Sequence, residues 1–139
     1  MKTFSEILHE KYGLSASESE QLLAQMERLT YRKGEHIVRE GERNSSLYLV
    51  AQGIWRGHYL RDGVDISLWF ASEGDTLFSS WSYVADRPSL TSIEAISDST
   101  VFRISKQKME TFFASSIAFA NIGRIIFEQQ FLDMENWMI

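Results

Sequence analysis

Between Tyr31 and Phe78 the chain is built from short apolar stretches set between glycines. His36-Ile37-Val38, Leu47-Tyr48-Leu49-Val50 and Ile66-Ser67-Leu68-Trp69-Phe70 are punctuated by Gly34, Gly41, Gly53, Gly63 and Gly74. Glycines recurring between short strand-like runs mark corners, so the segment predicts an antiparallel β-roll with these five as structural glycines. Ile54 to Leu60 and Val64 to Phe70 are separated by Arg61-Asp62-Gly63. Asp-Gly suits a tight primed turn, which predicts a hairpin there. From Gly74 to Pro88 the alternation breaks, and Ser79-Ser80-Trp81-Ser82-Tyr83 suits a short helix or loop stopped by Pro88, the single proline. Strand-like alternation returns from Leu90 to Ile96 and from Thr100 to Ile104.

The flanks are helical. Ser15-Ala16-Ser17-Glu18-Ser19-Glu20 holds two overlapping Ser-x-x-Glu capping boxes, and Leu22, Leu23, Met26 and Leu29 follow at helical spacing. They predict a helix from about Ser17 to Arg28. Lys106 to Ala114 predicts a short amphipathic helix, and Ile117 to Ile139 a long one. Two apolar stripes run along the latter: Ile122, Ile125, Leu132 and Ile139 on one side, Phe127, Phe131, Met134 and Met138 on the other. One stripe packs a helix on its own domain; a second needs a second surface. The 122, 125, 132, 139 spacing follows coiled-coil seam positions, which predicts a homodimer helix with Ile122, Ile125, Gln129, Leu132 and Asn136 in the seam. A helix buried on both faces within one molecule is the alternative. The chain thus divides into N-terminal helices (1–30), roll (31–105) and C-terminal helices (106–139) within one domain, 1–139.

The order Lys33-Gly34-Glu35-His36-Ile37-Val38-Arg39-Glu40-Gly41, then Leu47-Tyr48-Leu49-Val50-Ala51-Gln52-Gly53, then Asp62-Gly63, then Gly74-Asp75 resembles the cyclic-nucleotide-binding domain of the Crp/Fnr regulators. The resemblance implies a mainly β fold with flanking helices: a double-stranded β-helix, or jelly-roll-like roll, with an N-terminal helix and a long C-terminal dimerisation helix. It also implies a small-molecule effector held between roll and long helix by a cassette starting after Gly-Asp, here Gly74 to Ala95. In that family the effector shifts the dimer helices and re-aims a following helix-turn-helix domain on DNA. Its nucleotide-binding members read Gly-Asp-x-x-Gly-Glu and later Arg-Ser/Ala-Ala-x-Val-x-Ala, with the Glu on the ribose and the Arg on the cyclic phosphate. Here Phe78 and Ser79 replace the Gly-Glu pair and Ser89 falls at the arginine position. A charge-assisted bond contributes on the order of 1.5–3 kcal/mol, so weak binding of cAMP is expected. The candidate ligand residues are Ser79, Ser80, Trp81, Ser82, Tyr83, Arg87, Ser89 and Thr91. The serines offer a hydroxyl and amide anion site at a helix start. Trp81 and Tyr83 favour a flatter or more apolar ligand. Arg87 replaces the missing arginine if the loop is shorter than this alignment makes it.

Composition narrows the classes further. At 139 residues, with nine Phe, five Tyr and four Trp, the chain suits one domain with a substantial core. The absence of cysteine removes disulfides, thiolate ligands and cysteine nucleophiles, and suits a reducing cytoplasm. No apolar stretch follows Lys2, so neither a signal peptide nor a membrane partner is expected. A net charge of −5, with no basic block longer than Arg32-Lys33, makes the chain itself a poor DNA ligand. The apolar Asn136-Trp137-Met138-Ile139 end lacks a helix stop signal. This predicts that the chain is a piece of a longer protein, with DNA contacted through a helix-turn-helix domain absent from it.

His9, His36 and His58 fall on an N-terminal segment and two different strands, with no His-x-His pair and no carboxylate at ligand spacing. No serine sits in a Gly-x-Ser-x-Gly elbow. No metal, cofactor or catalytic residue is therefore expected, and the reading is a regulatory effector domain rather than an enzyme. Two alternatives stay open: a metal-dependent β-roll enzyme, and a ligand-free interaction module whose pocket Phe78, Trp81 and Tyr83 fill.

Overall fold

The structure is a computed structural model and describes residues 1–138. Helices α1 (Phe4–Tyr12) and α2 (Ala16–Ala24) precede eight strands: β1 (Glu27–Tyr31), β2 (His36–Val38), β3 (Leu47–Gln52), β4 (Trp55–Arg61), β5 (Val64–Ala71), β6 (Thr76–Leu77), β7 (Ser92–Ala95) and β8 (Ser99–Ile104). Helix α3 (Ser80–Ala85) lies between β6 and β7, and α4 (Lys106–Ala114) and α5 (Ile117–Met138) close the chain. The strands form two four-stranded antiparallel sheets, β1-β8-β3-β6 and β2-β7-β4-β5, which face each other as a jelly roll.

Two hydrophobic clusters share the first sheet. On its inner face Tyr48, Val50 and Val101 meet Trp55, Ile93 and Ala95 of the second sheet. On its outer face Leu47, Leu49 and Ile104 meet Leu8, Tyr12, Leu22, Met109, Phe112, Ile122 and Ile126 of the helices. Successive residues of a strand point to opposite faces, so a strand covered on both sides must be apolar throughout. That is why Leu47-Tyr48-Leu49-Val50 reads as an unbroken run, and all four are buried.

The predicted corners hold: all five predicted glycines have positive φ. In the β4–β5 hairpin both Asp62 (φ 53°) and Gly63 (φ 79°) are left-handed, as a type I′ turn requires. Three boundaries move. Thr3 and Ser15, not Ser17, cap the first two helices, each with a reciprocal capping box to Glu6 and Glu18. The expected helix to Arg28 ends at Ala24 with Gln25 as its cap, and Glu27 opens β1 opposite Arg103. Leu29 therefore belongs to strand alternation with Tyr31, both packed on the inner cluster, and only Leu22, Leu23 and Met26 face the helical cap. The 79–83 segment becomes α3, closed by Asp86 in the left-handed conformation (φ 53°) two residues before the expected stop at Pro88.

The long helix corrects the seam reading. Ile122 is 2% exposed and Ile126 fully buried in their own domain, with Ile125 packed against the same cluster, so the first half of α5 belongs to the core. Phe127 of the second stripe packs on Phe78 and Tyr83. Farther along, Phe131 (71%), Leu132 (53%) and Met138 (79%) are exposed, Asn136 is exposed, and half-buried Gln129 donates to Asp133 at 3.0 Å. Ile139 lies outside the described residues. The alternative reading, a helix buried within its own molecule, thus holds for the first half, and the second half leaves its apolar side chains exposed.

Gly53 (φ 113°) combines a left-handed backbone with crowding: a Cβ there would lie 2.7 Å from Ser99 Cβ and 3.0 Å from its Cα. Gly41 (φ 85°) has the conformation without the crowding, since nothing lies within 4 Å. Gly41→Ala is expected to lose about 1–2 kcal/mol from the backbone alone. Gly53→Ala should add overpacking to that, for roughly 2–4 kcal/mol in total. Urea unfolding of both variants checks this, and equal losses at the two sites would contradict it.

Candidate functional site

The 74–95 cassette spends most of its polar groups on itself. Ser79 caps α3, its Oγ accepting from Ser82 N at 3.3 Å. Ser82 Oγ donates to the Arg87 carbonyl at 2.8 Å, and Ser89 Oγ to the Thr91 carbonyl at 2.7 Å. Ser89 N and O are tied to the backbone of Glu42 and Gly41, at 2.7 and 2.9 Å. Ser79, Ser82 and Ser89 are all buried. Ser82 and Ser89 thus spend their hydroxyl protons on the loop backbone, and Ser79 spends an oxygen lone pair on the α3 cap.

The aromatic residues of the cassette divide. Tyr83 lies in a cluster with Phe78 (5.5 Å) and Phe127 (5.7 Å), with Lys106 Nζ 5.4 Å from its ring. Burial, with Glu110 nearby, pushes its phenol up to about 12, so it is neutral and serves packing. Trp81 is 43% exposed, and the Arg87 guanidinium stacks on its outer side at 5.5 Å. Of the eight candidates, only Ser80 lines the apolar cavity described next.

That cavity, of about 370 Å³, lies between the roll and the second half of α5. Leu68, Trp69, Phe70 and Ala71 of β5 form one wall, Thr76, Phe78 and Ser80 another, and Gln130, Asp133, Met134, Trp137 and Met138 of α5 the third. Its size falls in the range of small-molecule sites, which are usually apolar with a few converging polar groups. Phe70 and Trp137 approach at 5.9 Å across its edge. No Lys or Arg is among the described lining residues. The wall from β5 and α5 was hidden in the sequence, because Leu68 to Ala71 reads there as ordinary strand.

A polar knot fixes the cavity's inner end. The buried Tyr12 hydroxyl donates to the Gly74 carbonyl at 2.6 Å and lies 2.8 Å from Thr76 Oγ1. Burial holds this phenol neutral, well above its ordinary range. Lys11 pairs with Asp75 and, at 3.5 Å, with Asp133 on α5, while Gln130 Nε2 donates to the Thr76 carbonyl at 3.4 Å. Helix α1 thereby ties the Gly-Asp corner of the roll to the long helix at the point where the cavity begins.

A second constellation corrects the expectation that the histidines stand apart. His36 on β2, His58 on β4 and Glu94 on β7 bring one ligand atom each to within 4.8 Å of one another. The antiparallel register joins residues 22 and 36 positions apart in sequence, which spacing rules cannot see.

Comparison with known proteins gives one family. The model described as cyclic nucleotide-binding domain matches residues 28–116. No curated protein matches the chain by sequence. Among solved structures, the chain is similar to a cyclic nucleotide-binding domain from Methylobacillus flagellatus KT, at 15% identity and a TM-score of 0.82, over 96% of this chain and 78% of that one. It is similar to the catabolite activator protein of Thermus thermophilus, at 20% identity and a TM-score of 0.76. That match covers 95% of this chain, which spans 61% of the regulator's length. The sensor domain of the transcriptional regulator DNR from Pseudomonas aeruginosa matches at 22% identity and a TM-score of 0.65, over 82% and 75% of the two chains.

Tyr12→Phe tests the polar knot. It leaves the buried Gly74 carbonyl without its side-chain donor and is expected to cost about 1–3 kcal/mol. The urea midpoint should fall with an unchanged m-value. A variant within 0.5 kcal/mol of wild type would show that the hydroxyl does not hold α1 to the roll.

Proposed function

The chain belongs to the cyclic nucleotide-binding domain family, and we propose that it is the effector-sensing part of a homodimeric, cytoplasmic transcription regulator whose ligand is neutral and aromatic or apolar rather than a cyclic nucleotide. One observation carries this reading: a cavity walled by Trp69, Phe70, Phe78 and Trp137, with no cationic side chain among its described lining residues. A cyclic phosphate there would meet Asp133 and no guanidinium, and loss of a charge-assisted pair alone weakens binding about ten- to a hundredfold. The position at the join of roll and α5 supports sensing, because a ligand biases a helix only if it contacts it differently in two arrangements.

The partner would be a second copy. Phe131 and Leu132 expose apolar surface on the second half of α5, and two such surfaces are self-complementary about a twofold axis. DNA would be contacted through a domain outside these 139 residues, since a charge of −5 works against a polyanion. No described helix is long and apolar enough to cross a membrane. Catalysis has no part in the proposal.

The effector reading is checked by titration with cAMP and with N-phenyl-1-naphthylamine, a neutral aromatic probe that fluoresces when desolvated. The naphthylamine is expected to bind and to be displaced by Ser80→Trp, which fills the cavity, while Arg87→Ala leaves its affinity within about twofold. Tight cAMP binding that is abolished by Arg87→Ala would replace this proposal with a nucleotide sensor. The dimer is checked by light scattering. Wild type should show twice the 16.1 kDa chain mass and Leu132→Glu a single chain; a wild-type monomer at micromolar concentration would leave the α5 surface without its proposed partner.

A further inference from the structure

The second sheet carries a cluster that effector sensing does not use. β7 lies between β2 and β4, with His36 opposite Glu94 and Glu94 opposite Arg56, while His58 pairs with Ser92. In a regular strand His36 and Val38 would share a face. The register shift between them sends buried Val38 into the inner cluster and leaves His36 on the other side with Glu94. Bulges commonly re-aim a side chain in this way. On β4, Trp55 is packed in the inner cluster and Arg56 and His58 turn toward Glu94 on the opposite face. The two imidazole rings stand 5.7 Å apart.

Hydrogen-bond bookkeeping singles this cluster out. His36 Nδ1 and His58 Nε2 are both buried and both without a hydrogen-bond partner. Buried polar atoms nearly always have one, so two orphan imidazole nitrogens beside a carboxylate call for an explanation. His58 Nδ1 lies 3.0 Å from Asp65 Oδ1, so it carries the proton and donates to that carboxylate. Its Nε2 faces Glu94 Oε1, 3.5 Å away, and in the neutral ring offers a lone pair there. A carboxylate behind an imidazole in this manner orients metal-ligating histidines.

We propose that His36, His58 and Glu94 bind a divalent transition-metal ion of zinc type, clamping β2 and β4 together across β7. Two imidazoles and one carboxylate suit zinc and its neighbours, whereas calcium and magnesium prefer all-oxygen cages. Three protein ligands leave the fourth position to water. Tetrahedral zinc bonds of about 2.0–2.2 Å put ligand atoms roughly 3.3–3.6 Å apart, so the more distant ligand atoms draw in by about 1 Å on binding.

Arg56 is the built-in competitor. Its guanidinium holds Glu94 at 3.0 Å, Asp65 at 2.8 Å and Ser67 at 3.0 Å. Once Glu94 turns to the metal, Arg56 keeps its other two partners. The positive charges of Arg56 and Arg39 work against a dication and weaken its binding.

The test is calorimetric titration of chelator-treated, untagged protein with ZnCl₂, alongside thermal unfolding. Wild type is expected to bind one ion, and its unfolding midpoint to rise by roughly 8 °C at a hundredfold excess over Kd. His36→Ala and His58→Ala should each weaken binding at least tenfold, while His9→Ala, on α1, leaves it unchanged. Arg56→Gln should tighten binding, an outcome that general destabilisation cannot imitate. Absence of one-to-one binding by wild type, or affinity indifferent to both histidine variants, would overturn the proposal.

Discussion

The constraint on which the rest of this domain depends is that β3 must be covered on both faces. Tyr48 and Val50 need the second sheet, and Leu47 and Leu49 need a helical cap. At about 25 cal/mol per Å² of apolar surface, leaving either face in water would cost several kcal/mol, a large part of the stability of a domain this size. One face therefore calls for the jelly roll. The other calls for α1, α2, α4 and α5, and places the start of the long helix. Because α5 runs on beyond the sheet it covers, its later turns leave the core and overhang β5. The cavity is the gap beneath that overhang.

Its chemistry follows from how the overhang is held. The contacts along the first half of α5 are apolar and dry: Ile122, Ile126 and Phe127 among Phe78, Tyr83, Phe112 and Phe113. Along the second half they are fewer and mixed: Lys11 to Asp133, Gln130 to the Thr76 carbonyl, and Trp137 beside Phe70. Ion pairs that are partly exposed contribute little, typically under about 1 kcal/mol. The helix is thus anchored firmly at one end and lightly at the other. An added contact from a bound molecule is comparable in size to the ties already present, which is the condition for a ligand to move an element rather than merely sit beside it.

The fold was largely legible because its signals are local. Positive-φ glycines and the Asp-Gly hairpin each act within a few residues and each was found in its place, and of the two overlapping capping boxes the Ser15–Glu18 one formed. What failed did so where tertiary context decides. Leu29 fits a helical period and a strand period equally well, and pairing with Val101 on β8 settles the matter. The Thr3-Phe4-Ser5-Glu6 box that starts α1 is equally local. The site was less legible still. Ser79 and Ser89 stand at the family's signature positions, yet nothing in their spacing shows that loop backbone and an α3 cap consume them. Nor does the sequence show that Leu68 to Ala71, far from the cassette, supplies a cavity wall, or that two bulged or offset strands gather His36, His58 and Glu94.

Two faces of the same helical turns carry the two proposed associations. Met134, Trp137 and Met138 line the cavity, Leu132 is exposed on another side of the helix, and exposed Phe131, three residues before Met134, borders the two. On a helix, residues three and four apart share a face, and residues one or two apart do not. A ligand beneath and a second copy alongside would therefore hold the same turns, meeting along the edge where Phe131 adjoins Met134 and Met138. Any tilt that improves one contact alters the other, because a helix moves as a rod over so few turns. Coupling between effector and dimer then needs no relay through the roll; it follows from a single lightly tied helix having both jobs, and by linkage each association changes the other by the same factor.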